Sequence, residues 1–409
     1  MLSKIFSSKR WFFLSSSLLQ AGLFNHKVIY GTRGKIVRSW ISLMWHYPVL
    51  VLLSMRLIGC IDVTLLWRNA HKGQSRSTAT PCRIFVGFGA GPEEYMWERF
   101  KNASPILSIR LDQTNPSTFG SIYRPKVIDL WRKVWYEAKI AFEVIMNASI
   151  EPVQELRADY ITQATTRLAQ YAFFFQWWKG FNKDLKDIVF ITPDIPAYAC
   201  IDAGFSSVQF WQHGLLRKSL LFPPFKSLLL LTNAEVKYYK KLMPECDIVL
   251  DKSTLKVVNH NRTILLTSMY ETSDFKKITY IALLNGLCEW ALQKKMQIVI
   301  RKHPCETDSF WENNFSRIKI LSQKESIENT MLRVKPMLMI TWFSTTLIDA
   351  LRYNVVPVSI NSMNECVVQD LIINLREHCL LWSENRDDID QLVSGKTSVE
   401  KIINRLGKV

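Results

Sequence analysis

A chain of 409 residues, 48% of them hydrophobic, is long enough for two domains of ordinary size plus an extension, and this composition excludes a largely disordered protein. The net charge of +16 invites a nucleic-acid reading, but residues 1–80 alone hold eleven Lys/Arg against one acid, Asp62, and no DNA- or RNA-binding motif accompanies them, so nucleic acid is excluded as a partner. The eight cysteines are dispersed without CxxC or other zinc spacing, which excludes a disulfide scaffold and reads as reduced core thiols of a cytoplasmic protein.

The basic surplus surrounds apolar and aromatic sequence: Trp11, Phe12 and Phe13, then SWISLMWHYPVLVLLSM between Arg38 and Arg56. Residues 39–55 are uncharged but fall short of the roughly 20 positions that cross a bilayer, and His46 and Pro48 interrupt them. The expectation is a membrane-associating extension over 1–80, peripheral at the anionic inner face of the cell membrane; a spanning helix and a helix packed on the catalytic domain are the alternatives. The first 25 residues have the outline of a signal peptide, yet their apolar part is short and rich in serine, so cleavage is not expected.

A Ser/Thr-rich linker, Gly73 to Pro81, precedes an N-terminal Rossmann-like acceptor domain expected over 81–258. Arg83 to Val86 read as a strand, and Gly87, Gly89 and Gly91 as a tight turn. The spacing is one residue off the dinucleotide fingerprint and Pro92 follows, which argues against NAD or FAD. A strand at 106–111 and helices at about 125–148 and 152–180 come next. The second helix ends in YAFFFQWW (171–178), a core cluster with a lipid or sugar groove as the alternative. After a strand at 187–191, the segment VQFWQHGLLRKS places His213 at the carboxyl end of a strand, where open α/β sheets bind ligands, and the ordinary pKa of histidine suits a general base. A satisfied core histidine is the bland alternative. A strand at 227–231 and the helix AEVKYYKKL follow, and Pro244 to about 260 reads as the crossing between domains.

The second domain, 259–409, opens with RTILLTSMYE, a strand ending in Thr267 and Ser268. Helix 274–295 leads to strand 297–301, which delivers Arg301, Lys302 and His303 before Pro304 breaks it. A strand at 318–321 and a helix at 325–334 precede MLMITWFSTTLIDALRYNVVPVSI (337–360), a strand, hydroxyl-rich turn, short helix and second strand that close the sheet. Ser344, Thr345 and Thr346 stand where helix N–H groups lack partners, a setting for phosphate, although an N-cap alone would use the same residue types.

The order strand-RKHP, strand-x-x-x-STT-helix, strand-PVSI resembles the C-terminal nucleotide-binding domain of GT-B glycosyltransferases, and Gln212-His213-Gly214 matches a strand-QHG of their N-terminal domain. The resemblance is to bacterial surface-polysaccharide enzymes: sialyl- and polysialyltransferases, Kdo transferases, and the CDP-glycerol glycerophosphotransferases, whose WHG differs from the WQHG here. It implies an α/β, GT-B-like fold with two Rossmann-like domains facing a cleft. It also implies transfer of a sugar from a nucleotide-activated donor, CMP-linked by its HP and Ser/Thr motifs, to a lipid-linked capsular polysaccharide or lipopolysaccharide acceptor. Donor phosphates fall to Thr267, Ser268, Arg301, His303, Ser344, Thr345 and Thr346, with Asp349 in the place of a ribose-binding Glu and Glu306 or Glu365 at the base. His213 is the implied base, with Asp194, Glu93 and Glu94 in reserve. Neither metal nor cofactor is implied: Asp388-x-Asp390 sits in polar sequence rather than after an apolar strand. A CDP-alditol phosphotransferase and a non-catalytic polysaccharide-binding or export protein are the alternatives.

Overall fold

The computed structural model describes residues 36–70, 83–87, 106–110, 125–148, 157–181, 185, 187–191, 194–212, 216, 222–251, 259–268, 277–302, 309–321, 325–341, 344, 346–360 and 375–406. The chain forms two compact units, Met1–Trp211 with Ser219–Leu228, and Gln212–Lys218 with Leu229–Val409.

Three helices form a bundle in the first unit: α1 (Pro48–Ala70), α2 (Val127–Met146) and α3 (Arg157–Trp178). Val51, Met55, Gly59 and Val63 recur every four residues and make the buried stripe of α1. A Cβ on Gly59 would lie 2.7 Å from Val134 Cγ1 of α2 and 3.4 Å from Leu168 Cβ of α3, so the missing side chain is what allows the helices this close. The chain is helical over residues 36–43, turns at 44–46 and resumes at Pro48, which opens α1, so residues 39–55 are interrupted at His46 and Pro48 as expected. Proline is tolerated in a first helical turn, where its missing N–H has no partner to lose, so the long apolar helix starts there.

The first sheet has the order β2-β1-β3-β4-β5-β6, built from β1 (Arg83–Gly87), β2 (Ile106–Arg110), β3 (Asp187–Phe190), β4 (Val208–Trp211), β5 (Ser227–Leu230) and β6 (Asp247–Leu250). Strands β2-β1-β3-β4 pair parallel, and Ile84, Phe85 and Val86 are all buried, as in a sheet covered on both faces. The YAFFFQWW cluster is core: Trp178 meets Phe181, Phe190 and Phe205 at ring separations of 5.5–6.0 Å. β6 lies within the stretch Pro244 to about 260, where no strand was expected. Its four residues bury only Ile248, because an edge strand needs only part of one face covered, and so carry little hydrophobic signal.

The second sheet, within the second unit, has the order β12-β11-β10-β7-β8-β9 and is parallel throughout. Its strands are β7 (Asn261–Thr267), β8 (Gln297–Arg301), β9 (Lys319–Leu321), β10 (Pro336–Thr341), β11 (Val356–Ser359) and β12 (Leu380–Leu381). Alternate residues feed two cores. Ile264, Leu266, Ile300, Leu338 and Ile340 pack with Leu284, Trp290, Trp311, Ile389 and Ile402, whereas Leu265, Val299 and Met339 pack with Met331, Leu347 and Ala350. Both faces being buried explains why these strands read as continuous apolar runs. The 337–360 unit does not close the sheet: β12 adds an edge of two residues beyond β11, too short to be visible in sequence. These two parallel sheets, each with packed helices, make the α/β, GT-B-like class.

Candidate functional site

Three neighbouring strands of the second sheet, β10, β7 and β8, bring their carboxyl ends together, the edge where open parallel sheets bind ligands. Thr267 pairs in register with Arg301, and Ser268 N donates to Arg301 O at 3.0 Å. Thr341 Oγ1 donates to Thr267 O at 3.1 Å, and the hydroxyls of Thr267 and Thr346 lie 3.3 Å apart. Ser344 shapes the turn between them: its Oγ accepts from Thr346 N at 3.3 Å and its carbonyl accepts from Leu347 N at 3.0 Å. Thr267, Ser268, Arg301, Ser344 and Thr346 are therefore gathered at one sheet edge. The following helix, α9 (Thr346–Arg352), has only seven residues, so its dipole is a minor contribution beside Arg301.

Arg301 is 8% exposed. Its Nη2 donates to Glu325 O at 2.8 Å, while its Nε is buried with no acceptor among the described residues. Burial lowers its pKa, opposed by the charges of Glu325 and Asp349. Asp349, one turn into α9, stands 3.9 Å from Arg352 Nη1. Burial pushes its carboxyl up to about 6, against the pull of Arg352 and Arg301. Lys302 is engaged elsewhere, its Nζ 3.0 and 3.3 Å from the Glu312 carboxylate.

A second cluster in this unit was legible only in part. Thr232 and Glu235 form a capping box at the start of α5 (Asn233–Leu242): Thr232 Oγ1 accepts from Glu235 N at 3.3 Å. The Glu235 carboxylate also accepts from Thr232 Oγ1 at 2.8 Å, Gln212 Nε2 at 2.6 Å and Leu216 N at 3.3 Å. Gln212 Oε1 in turn accepts from Leu231 N at 2.8 Å. One buried carboxylate thus ties down both Gln212 and Leu216, the residues flanking the His213-Gly214-Leu215 tripeptide in the sequence. Burial raises its pKa to about 7 despite these donors. The T-x-x-E spacing announces the cap; nothing local announces the link to Gln212.

Asp194 belongs to the first unit. It caps α4 (Ile195–Asp202), with Oδ1 accepting from Ile195 N at 2.8 Å, and stands 3.6 Å from Arg167 Nη1. Burial lowers the Arg167 pKa and the Asp194 charge opposes it. Asp388 and Asp390 lie on α11 (Arg386–Val393). Asp388 pairs with Arg405 at 2.6 Å, and Asp390 accepts from Trp290 Nε1 at 2.9 Å and pairs with Lys294 at 3.2 Å. His213, His303 and Thr345 lie outside the described residues, as do Glu93, Glu94, Glu306 and Glu365.

No protein-family model and no curated protein matches the chain. Solved structures do match. The UDP-GlcNAc 2-epimerase from Neisseria meningitidis, bound to UDP-GlcNAc, is 11% identical with a TM-score of 0.44, covering 80% of this chain and 94% of that one. A glycosyltransferase from Rickettsia africae is 12% identical with a TM-score of 0.37, covering 85% and 88%. The wall teichoic acid polymerase TagF is 10% identical with a TM-score of 0.39, covering 91% and 89%. At these scores the likeness carries nothing about substrate or reaction, which rest on the residues themselves.

Proposed function

We propose that the chain is a glycosyltransferase of GT-B type. It moves a sugar from a nucleotide-activated donor, CMP-linked by its motifs, to a lipid-linked glycan acceptor, without a metal. The observation that carries the reading is Arg301: a buried guanidinium at the carboxyl end of β8, with Nε unsatisfied among the described residues and four hydroxyl-bearing residues, Thr267, Ser268, Ser344 and Thr346, at the same sheet edge. A buried cation with spare donors is costly unless an anion completes it, and a donor phosphate has the right charge and acceptor oxygens.

In the reaction the acceptor oxygen bonds to the anomeric carbon as the bond from that carbon to the phosphate oxygen breaks. The acceptor proton passes to His213, held between Gln212 and Leu216 in the sequence. Charge accumulates on the departing nucleotide phosphate, where Arg301, His303 and the hydroxyls stabilise it. Asp349, one turn along α9, is assigned to the donor ribose.

Thermal-shift and calorimetric titration with CMP, CDP, UDP and GDP, with and without magnesium, tests the reading. A ligand at a hundredfold excess over its Kd stabilises the native state by about 2.7 kcal/mol. A metal-independent shift with a cytidine nucleotide is expected. Folded protein that responds to no nucleotide would overturn the proposal in favour of a binding or export role, and phosphorus in the transfer product would replace it with phosphotransfer.

A further inference from the structure

Of the 18 large hydrophobic side chains exposed among the described residues, 14 lie between Ile36 and Leu65 or on α2. Along α1, Leu50, Leu53, Leu57, Ile61 and Leu65 recur every three or four residues and are 40–59% exposed, forming one face about 22 Å long. α2 sets Trp131, Trp135 and Tyr136, also exposed, into the same bundle. Trp131 Nε1 donates to Thr64 Oγ1 at 2.9 Å, joining α2 to α1, and the Arg56 guanidinium lies 4.5 Å from the centre of the Trp135 ring. With its indole N–H satisfied by the protein, Trp131 offers an apolar ring to whatever lies outside.

We propose that this face of α1 and α2 docks into the interfacial layer of an anionic lipid bilayer, with α1 lying in the plane of the membrane rather than across it. Charge complementarity names the occupant. Residues 1–35 carry six Lys/Arg and no acid, and residues 36–70 add Arg56 and Arg68, with Asp62 buried and Arg38 paired with Asp159 at 2.6 Å. Cations beside interfacial tryptophans suit an anionic headgroup layer.

The packing of α1 sets the orientation. By length and composition the helix could cross a membrane, but its opposite face is committed to α2 and α3 through Val51, Met55, Gly59 and Val63, with Gly59 too close to Val134 for even a methyl group. Crossing would strip α1 from that bundle or drag α2, with Asp129, Arg132, Lys139 and Glu143, into hydrocarbon. Lying flat buries the exposed face and keeps the bundle.

The full chain is floated with vesicles of phosphatidylcholine alone and of phosphatidylcholine with phosphatidylglycerol. Leu57→Glu/Ile61→Glu places charge on the face, and Leu292→Glu, on an equally apolar residue that is 79% exposed in the second unit, is the control. The expected results are preference for anionic vesicles and at least a tenfold loss of partitioning for the double variant. The control should bind as the parent does, all three proteins should share one thermal midpoint, and an N-terminal epitope should be open to protease added outside the vesicles. Any of three results would overturn the proposal: undiminished binding by the folded double variant, an N-terminal epitope protected from that protease, or a homodimer that the double variant dissociates without any change in vesicle binding.

Discussion

The Gln212 side-chain amide donates a 2.6 Å hydrogen bond to the Glu235 carboxylate, and both groups are completely buried. Glu235 also accepts from Leu216 N, so one carboxylate bonds both Gln212 and Leu216, the residues on either side of His213-Gly214-Leu215 in the sequence. Glu235→Ala should cost about 2–4 kcal/mol by leaving three buried donors, on Thr232, Gln212 and Leu216, without this acceptor. If the tripeptide carries the base, transfer should fall at least tenfold in this variant while nucleotide affinity stays near the parent value. Calorimetry beside a transfer assay separates the two, and equal loss of both would point to general damage to the unit.

Glu235 also sets a pH dependence. Burial raises its folded pKa to about 7, above its unfolded value, so between the two the native state binds more protons than the unfolded chain. Stability from this group is therefore greatest at pH below the usual carboxylate range, falls as pH rises toward 7, and levels above it, by an amount on the order of 3 kcal/mol. Denaturant midpoints measured from pH 4 to 9 should show this decline, and Glu235→Gln should flatten it. An equally steep profile in that variant would assign the dependence to another group.

Arg301→Ala should weaken binding of the responding nucleotide at least tenfold. Arg301→Lys should restore little of it, because an ammonium cannot reproduce the planar fork of donors. His303→Ala and Ser344→Ala should act in the same direction more weakly. Unchanged affinity in Arg301→Ala, with the fold intact, would remove the donor assignment from this strand end.

Gly59→Ala should destabilise the helical bundle by about 1–3 kcal/mol, since the added methyl would stand 2.7 Å from Val134 Cγ1 and outweighs the gain in helix propensity of about 1 kcal/mol. Val134→Ala in the same chain should recover part of the loss. A double-mutant cycle on thermal midpoints measures the coupling, and strict additivity would mean the helices separate without cost.

Asp388 and Asp390 should be dispensable for transfer. Each is held by neighbours on its own side of the second sheet, Arg405 for one and Trp290 with Lys294 for the other, in partly exposed pairs worth under about 1 kcal/mol. Asp388→Ala and Asp390→Ala should keep the parent rate with and without magnesium, and loss of a magnesium response in either would revive a metal role.

What the sequence by itself determined is what short-range patterning controls. A parallel strand buried on both faces is apolar along its length, so runs such as residues 264–266, 298–300 and 338–340 announced the second sheet, and Asn354, at a φ of 55°, could end its helix. The gathering of hydroxyls and a guanidinium at the ends of β7, β8 and β10 followed once those strands were taken as neighbours. Tertiary structure alone decided the rest. β6 and β12 exist because an edge gives four or two residues something to pair with, not because those residues insist on it. Which stripe of α1 is buried depends on where α2 and α3 lie. Glu235 is an ordinary capping residue until Gln212, twenty-three positions earlier, is brought against it; desolvation then raises its pKa, and desolvation is a property of everything packed around a group rather than of its neighbours in the chain.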